Sequence, residues 1–153
     1  MRCRLLKKLF KFIIPLVTLF TLISCGPKET LGDSYSETFN GKTYTIKENV
    51  PYNTKYEVAM YIHHFERLPK NYFTKGYYRN NHLSDKWTPE NLYTIGGDKF
   101  NNYEKLLPQN KTYTECDIES TIYDRGAKRI VFSNDFKVYY THNHYGSFEV
   151  IYK

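Results

Sequence analysis

At 153 residues and 18.3 kDa, with 41% hydrophobic and 25% charged residues, the chain is too rich in core-forming side chains to be disordered, and it is long enough for one domain with short appendages. Its formal charge of +6 is concentrated at one end: Arg2, Arg4, Lys7, Lys8 and Lys11 fall in the first 24 positions with no acidic residue, and 17 basic residues face 16 acidic ones thereafter. A globally basic RNA-coating protein is thereby excluded, and any polyanion site has to be a local cluster.

The basic segment runs into an apolar stretch from Phe12 to Ile23, broken only by Pro15, Thr18 and Thr21, and then into Ser24-Cys25. That order is the charged region, apolar region and small-residue cleavage site of an export signal. About 20 residues are needed to span a bilayer, more than this stretch supplies. Leu22-Ile23-Ser24-Cys25 also resembles the lipobox of bacterial lipoproteins, which implies cleavage before Cys25 and lipidation of its thiol. The expectation is a signal peptide over 1–24 and a protein exported to, and lipid-anchored at, the cell envelope. Cys3 would leave with the signal, so Cys116 would remain as a single free thiol and no internal disulfide could form.

Residues 25–52 read as a lipidated tether followed by a small hairpin, Thr38 to Tyr44, on the Asn40-Gly41 turn. Thr54-Lys55-Tyr56-Glu57 has the spacing of a capping box. It opens a helix with Val58, Ile62 and Phe65 on one face, ended by Leu68-Pro69. Thr74 is placed to cap a short second helix to about Asn80, and Asn81 to Thr94 is polar and reads as loop. From Ile95 the pattern changes to strands: Thr112–Ile118, Arg129–Ser133, Phe136–Thr141 and Phe148–Tyr152. Helices followed by an antiparallel meander predict an α+β fold, with N-terminal helices packed on a C-terminal antiparallel sheet.

Alternation along the 112–118 strand places Tyr113, Glu115 and Asp117 on one face and Cys116 and Ile118 on the other. Glu115, Arg125, Lys128, Arg129, His142 and His144 lie on or near neighbouring strands. A carboxylate can take a proton from a ribose hydroxyl, an imidazolium can give one to a leaving oxygen, and fixed cations can stabilise a phosphorane. Each residue alone reads more simply as solvated surface, and Cys116 as a small buried hydrophobe. His63 and His64 read as partly exposed helix surface, and Asp98 and Asp117 as scaffold hydrogen-bond or ion-pair groups. His142 and His144 share a strand face but lack a third ligand at a convincing spacing, so neither a metal nor any other cofactor is expected.

Five segments in order carry a resemblance to a known family. Leu68-Pro69-Lys70-Asn71-Tyr72-Phe73-Thr74-Lys75, Ile95-Gly96-Gly97-Asp98-Lys99-Phe100 with Asn102, Glu104, Leu107 and Pro108, and Thr112-x-x-Glu115-x-Asp117-Ile118 are the first three. Arg125-Gly126-Ala127-Lys128-Arg129-Ile130 and Asn143-His144-Tyr145 with Phe148 complete the set. Together they resemble the barnase-like, guanyl-preferring bacterial ribonucleases over most of residues 53–153, the expected ribonuclease domain. The resemblance implies Glu115 as general base, His144 as general acid, and Lys75, Arg125 and Arg129 on the phosphate. It further implies that backbone amides around Asn101, Asn102 and Tyr103 and the Glu104 carboxylate read guanine, with Phe100 and Tyr145 lining or stacking on the base.

So read, the protein is a monomeric endoribonuclease cleaving single-stranded RNA after guanosine through a 2′,3′-cyclic phosphate. The resemblance also implies a small acidic protein inhibitor of the barstar type as a partner. A catalytically idle lipoprotein, using the same groove to bind a nucleotide or a protein, is the alternative. Three departures from the family pattern stand out. Tyr103 occupies a place where the family commonly has arginine, the connector between Lys75 and Ile95 is shorter and weakly helical, and the loop after Pro108 is trimmed.

Overall fold

Asn40 (φ 51°) and Gly41 (φ 77°) both adopt the left-handed conformation that a two-residue hairpin turn demands. Around them β1 (Ser34–Phe39) and β2 (Lys42–Lys47) pair antiparallel, from Ser34 opposite Lys47 to Phe39 opposite Lys42. The computed structural model describes residues 32–81, 93–121 and 123–153. The expected export signal, Cys25 and most of the polar stretch after Asn81 lie outside the described residues. The hairpin is longer than its turn signal suggests, because Ser34, Ser36 and Glu37, which have little β-propensity of their own, are recruited by pairing with β2.

Helix α1 (Lys55–Phe65) starts at Thr54, whose hydroxyl meets the Glu57 carboxylate at 2.6 Å, so the two capping-box side chains pair with each other. It ends on Glu66 in the left-handed region, whose N–H reaches the Ile62 carbonyl at 2.9 Å, before the Leu68-Pro69 stop. Five consecutive residues, Val58 to Ile62, are fully buried. Val58, Ala59 and Ile62 pack on the main sheet against Cys116, Ile118, Ile130 and Val138. Met60 and Tyr61 pack on the other side against Ile46 of the hairpin. Burial on two sides is why the helix lacks one clean apolar stripe.

The pair His63-His64 is partly exposed as expected, His63 exposed and His64 half-buried, and it also joins three elements. His64 Nε2 lies 2.5 Å from Glu37 Oε1 and its ring stacks on Tyr35 at 4.0 Å, while His63 stacks on Tyr152 at 4.1 Å. Tyr152 donates its hydroxyl hydrogen to Glu37 at 2.7 Å. Burial pushes the Glu37 carboxyl up, but the Tyr152 and His64 contacts outweigh it and hold the group below its ordinary range.

The main sheet has six strands in chain order: β3 (Tyr72–Phe73), β4 (Thr94–Phe100), β5 (Tyr113–Asp117), β6 (Arg129–Ser133), β7 (Val138–Thr141) and β8 (Glu149–Tyr152). β4 through β8 pair antiparallel, but β3 pairs parallel with β4, so the sheet is not wholly antiparallel. Two residues are too few to show strand periodicity, and β3 sits within the helical half of the sequence. Short helix α2 (Lys75–Asn81) follows it, with the Tyr77 N–H donating to the Thr74 hydroxyl at 3.2 Å.

The β6–β7 turn supplies a stability prediction. Asp135 accepts from the Ser133 hydroxyl at 2.6 Å and from Lys111 Nζ at 2.9 Å, and these contacts lower its carboxyl from the ordinary 3.8 to about 2. A carboxyl depressed on folding stabilises the protein above its unfolded value, and that stabilisation is lost as pH falls from 3.8 through about 2. Thermal unfolding of wild type and Asp135→Asn should therefore differ most above pH 4 and converge as pH falls toward about 2. A gap that stays constant down to that pH would contradict this account.

Candidate active site

Strand β5 divides the sheet's two environments. Cys116 and Ile118 enter the helix-facing core, while Tyr113, Glu115 and Asp117 take the opposite face beside Val131 and Arg129 of β6. Burial pushes the Cys116 thiol well up, which suits its expected role as a packing residue.

Two glycines bring β4 against this strand. A Cβ on Gly96 would come within 2.5 Å of the Cys116 Cβ and 2.6 Å of the Tyr72 ring, so only glycine permits the approach. Gly97 (φ 95°) then forms a bulge between Gly96 and Asp98. Past the bulge Asp98 stands opposite Glu115, and its Oδ2 accepts the backbone N–H of Lys75 at 2.9 Å. The first turn of α2 is thereby tied to the strand, bringing the Lys75 side chain to the sheet face.

The side chain of Glu115 is 12% exposed and held at both oxygens. Lys75 Nζ donates to Oε1 at 2.6 Å, and the Tyr145 hydroxyl donates to Oε2 at 2.6 Å. Burial, reinforced by the bond to Glu115, pushes the Tyr145 hydroxyl far up, so it stays a proton donor and cannot serve as a base. Next along the strand, Asp117 is buried and clamps two arginines. Arg125 approaches through Nε to Oδ2 at 2.6 Å and Nη2 to Oδ1 at 3.0 Å, and Arg129 through Nε to Oδ1 at 2.8 Å. Arg129 also donates to the carbonyls of Gly126 and Lys128. The scaffold role expected for Asp98 and Asp117 is what these contacts describe.

Residues 101–108, which follow β4, form a loop tied by one side chain. Asn102 (φ 50°) donates through Nδ2 to the Leu107 carbonyl at 2.8 Å and accepts the Leu107 N–H at 3.1 Å. Its carbonyl also accepts the Lys105 N–H at 3.0 Å. The Asn102 side chain is therefore committed to the loop's shape. Phe100 is buried beneath, with its ring 4.9 Å from that of Tyr145.

His144 (φ 54°) and Tyr145 (φ 73°) are consecutive non-glycine residues in the left-handed region, a strained arrangement that persists only where neighbours enforce it. Buried Thr141 accepts the Tyr145 N–H at 3.0 Å and hydrogen-bonds Asn143, which in turn accepts the Ser147 N–H at 3.0 Å. The His144 N–H reaches the Ala127 carbonyl at 3.1 Å, linking this turn to the arginine loop.

A cleft of about 310 Å³ is lined by Lys75, Phe100, Asn101, Tyr103, Glu104, Glu115 and Tyr145 of the residues singled out in the sequence, and by Lys99, which was not. Arg125 and Arg129 gather on Asp117 at the same sheet face. His144 is exposed and meets the site through Tyr145, their rings 4.6 Å apart, with no hydrogen bond to Glu115. Among the described residues no group of three or more His, Cys, Asp or Glu side chains could hold a metal ion. Asn143 belongs to the motif around His144, but the support from Thr141 had no signal in the sequence beyond its nearness to that motif.

A carboxylate and several cations on one sheet face, beside a cleft that could take a nucleobase, suit a protein handling a phosphate-bearing substrate. A family model described as ribonuclease matches residues 24–152, and the chain belongs to the ribonuclease family. It is 36% identical over 104 residues to a ribonuclease of Heyndrickxia coagulans, covering 63% of this chain and 94% of that protein. Ribonucleases of Bacillus intermedius and Bacillus pumilus are likewise 36% identical over 104 residues, and the match spans 63% of this chain and 63% of each of theirs.

Proposed function

We propose that the protein is a lipid-anchored, extracytoplasmic endoribonuclease that cleaves single-stranded RNA after guanosine without a metal. The observation that carries this reading is the Glu115 carboxylate, held by Lys75 and Tyr145 on the floor of a cleft walled by the 100–104 loop. Each carboxylate oxygen has a second lone pair, so Glu115 can accept a ribose 2′-hydroxyl without losing either partner.

In the first step Glu115 takes the proton of the guanosine 2′-hydroxyl as that oxygen attacks the adjacent phosphorus. The P–O bond to the next nucleotide breaks, and His144 gives its proton to the departing 5′-oxygen, leaving a 2′,3′-cyclic phosphate. In the second step His144 takes a proton from water as its oxygen attacks phosphorus; the P–O2′ bond breaks and Glu115 returns its proton to the departing 2′-oxygen, leaving a 3′-phosphate. Lys75, Arg125 and Arg129 stabilise the charge that builds on the phosphate oxygens in both steps. Tyr145, protonated throughout, steadies Glu115 and offers its ring with Phe100 to the base. Glu104 accepts from the guanine N1 and N2 donors, which adenine cannot supply in that pattern. A small acidic protein of the barstar type would engage these same cations as an inhibitor.

The test compares guanosine- and adenosine-containing dinucleotides with the detergent-solubilised full chain in EDTA. Preferential cleavage of the guanosine substrate that survives chelation is expected. Equal cleavage of both, or loss of cleavage on chelation, would overturn the reading. Tyr103 supplies a second check. Its ring is 80% exposed at the cleft rim and carries no charge. Tyr103→Arg should lower KM for polymeric RNA and steepen the salt slope by about 0.7, the contribution of one neutralised phosphate on a single strand. Guanine preference should persist. A flat salt slope with altered base choice would place Tyr103 on the base instead.

A further inference from the structure

Beyond the base loop lies a second cavity, of about 360 Å³, that shares Lys99, Phe100, Asn101 and Tyr103 with the first. The two are therefore neighbouring parts of one groove, with the exposed Tyr103 ring at the boundary. Their chemistry differs. The first contains two carboxylates, Glu104 and Glu115, whereas the second has no carboxylate in its lining and adds Lys105 and Lys111. Lys111 is tied to Asp135 at 2.9 Å. Among the described residues Lys99 and Lys105 have no ion pair. Lys105 is held at the loop's edge by its left-handed backbone (φ 56°) and by the bond from its N–H to the Asn102 carbonyl.

We propose that this second cavity is a nucleotide subsite for the residue on the 5′ side of the guanosine, with Lys99 and Lys105 on its phosphate and Tyr103 stacking on its base. The direction follows from the groove's order, and so rests on the ribonuclease reading. The scissile 3′-phosphate belongs at the Glu115 end, the guanine at the 100–104 loop, and the cavity continues away from the scissile end past that loop. The strand that leaves there is the 5′ one. A lining with lysines and no carboxylate suits a phosphodiester. An exposed aromatic ring stacks on any base, so the subsite would lengthen the footprint without adding sequence preference.

The test reads binding separately from cleavage. Oligonucleotides carrying 2′-deoxyguanosine lack the attacking hydroxyl and cannot be cut by the proposed chemistry. The full chain in detergent is titrated with a dinucleotide beginning at deoxyguanosine, and with the same dinucleotide extended by one 5′ uridine and its phosphate. Wild type should bind the extended ligand roughly tenfold more tightly or better, the scale of a charged hydrogen bond. The double variant Lys99→Gln/Lys105→Asn should bring that ratio close to one, asparagine being chosen because it tolerates the left-handed backbone. Lys105→Arg should retain the gain. No gain in wild type, or a gain that survives the double variant, would overturn the subsite even if guanosine dinucleotides are cleaved as expected. A lysine-dependent gain in a protein that cleaves no RNA would support the subsite and overturn the ribonuclease reading instead.

Discussion

Glu115→Ala and His144→Ala are each expected to lower the rate of RNA cleavage by roughly 10²- to 10⁴-fold, the contribution of one positioned acid or base. The two losses should not multiply in the double variant, because a base and an acid that act in one proton-transfer sequence work as a unit. Neither change should unfold the protein. Glu115 lines an open cleft and its partner Lys75 is 41% exposed, so water can solvate the lysine that is left behind. His144 is itself exposed, and the alanine variant keeps the N–H that bonds to Ala127. The wild-type rate should follow a bell-shaped pH profile, and Glu115→Ala should lose its acid limb. Near-wild-type activity in either variant, with an unchanged circular dichroism spectrum, would remove the assignment.

Asp117→Asn should have the largest effect on stability. Its carboxylate is the shared partner of Arg125 and Arg129, and the Arg129 side chain is 5% exposed. Asparagine keeps the volume but leaves a buried guanidinium without its countercharge, a change that costs about 3–5 kcal/mol. Denaturant unfolding should register that loss as a lower midpoint at constant slope. Activity should fall as well, even in the folded fraction, since both arginines lose the group that aims them. Lys128→Ala offers the contrast. That lysine pairs with Glu119 at the surface, where an ion pair contributes about 0–1 kcal/mol. An Asp117→Asn protein as stable as the Lys128→Ala one would show that the arginines are not held as described.

Much of the sheet is legible from alternation and β-rich composition. Arg129–Ser133 is a strand with the bounds its residues suggest, and the 112–118 run sends Glu115 and Cys116 to opposite faces as period two requires. What escapes sequence is set by tertiary contact. The β3 strand has only two residues and takes its identity from pairing with β4, about twenty positions later. Helix α1 blurs its own periodicity because Ile46 covers one side and the main sheet the other. His63 and His64 are partly exposed helix residues as their positions suggest, but their contacts with Tyr35, Glu37 and Tyr152 arise only when the hairpin and β8 pack beside them.

The site divides in the same way. Glu115, Lys75 and Tyr145 are visible as members of separate motifs. Their convergence on one carboxylate joins positions 40 and 30 residues apart, and no local pattern encodes it. Asn102 could be named as a loop residue, but its use as the loop's clasp depends on the backbone of Leu107. Lys99 lies within a motif segment that implies no role for it, and only the cleft shows that it faces the same space as Glu104 and Glu115.

Phosphorus NMR of a guanosine-containing dinucleotide, incubated with the full chain in detergent and EDTA, tests the proposed chemistry most directly. The account predicts that the 2′,3′-cyclic guanosine phosphate appears first and then gives way to the 3′-phosphate, with neither species formed by Glu115→Ala at a comparable rate. Direct appearance of a 5′-phosphate product, or no reaction at all, would contradict it.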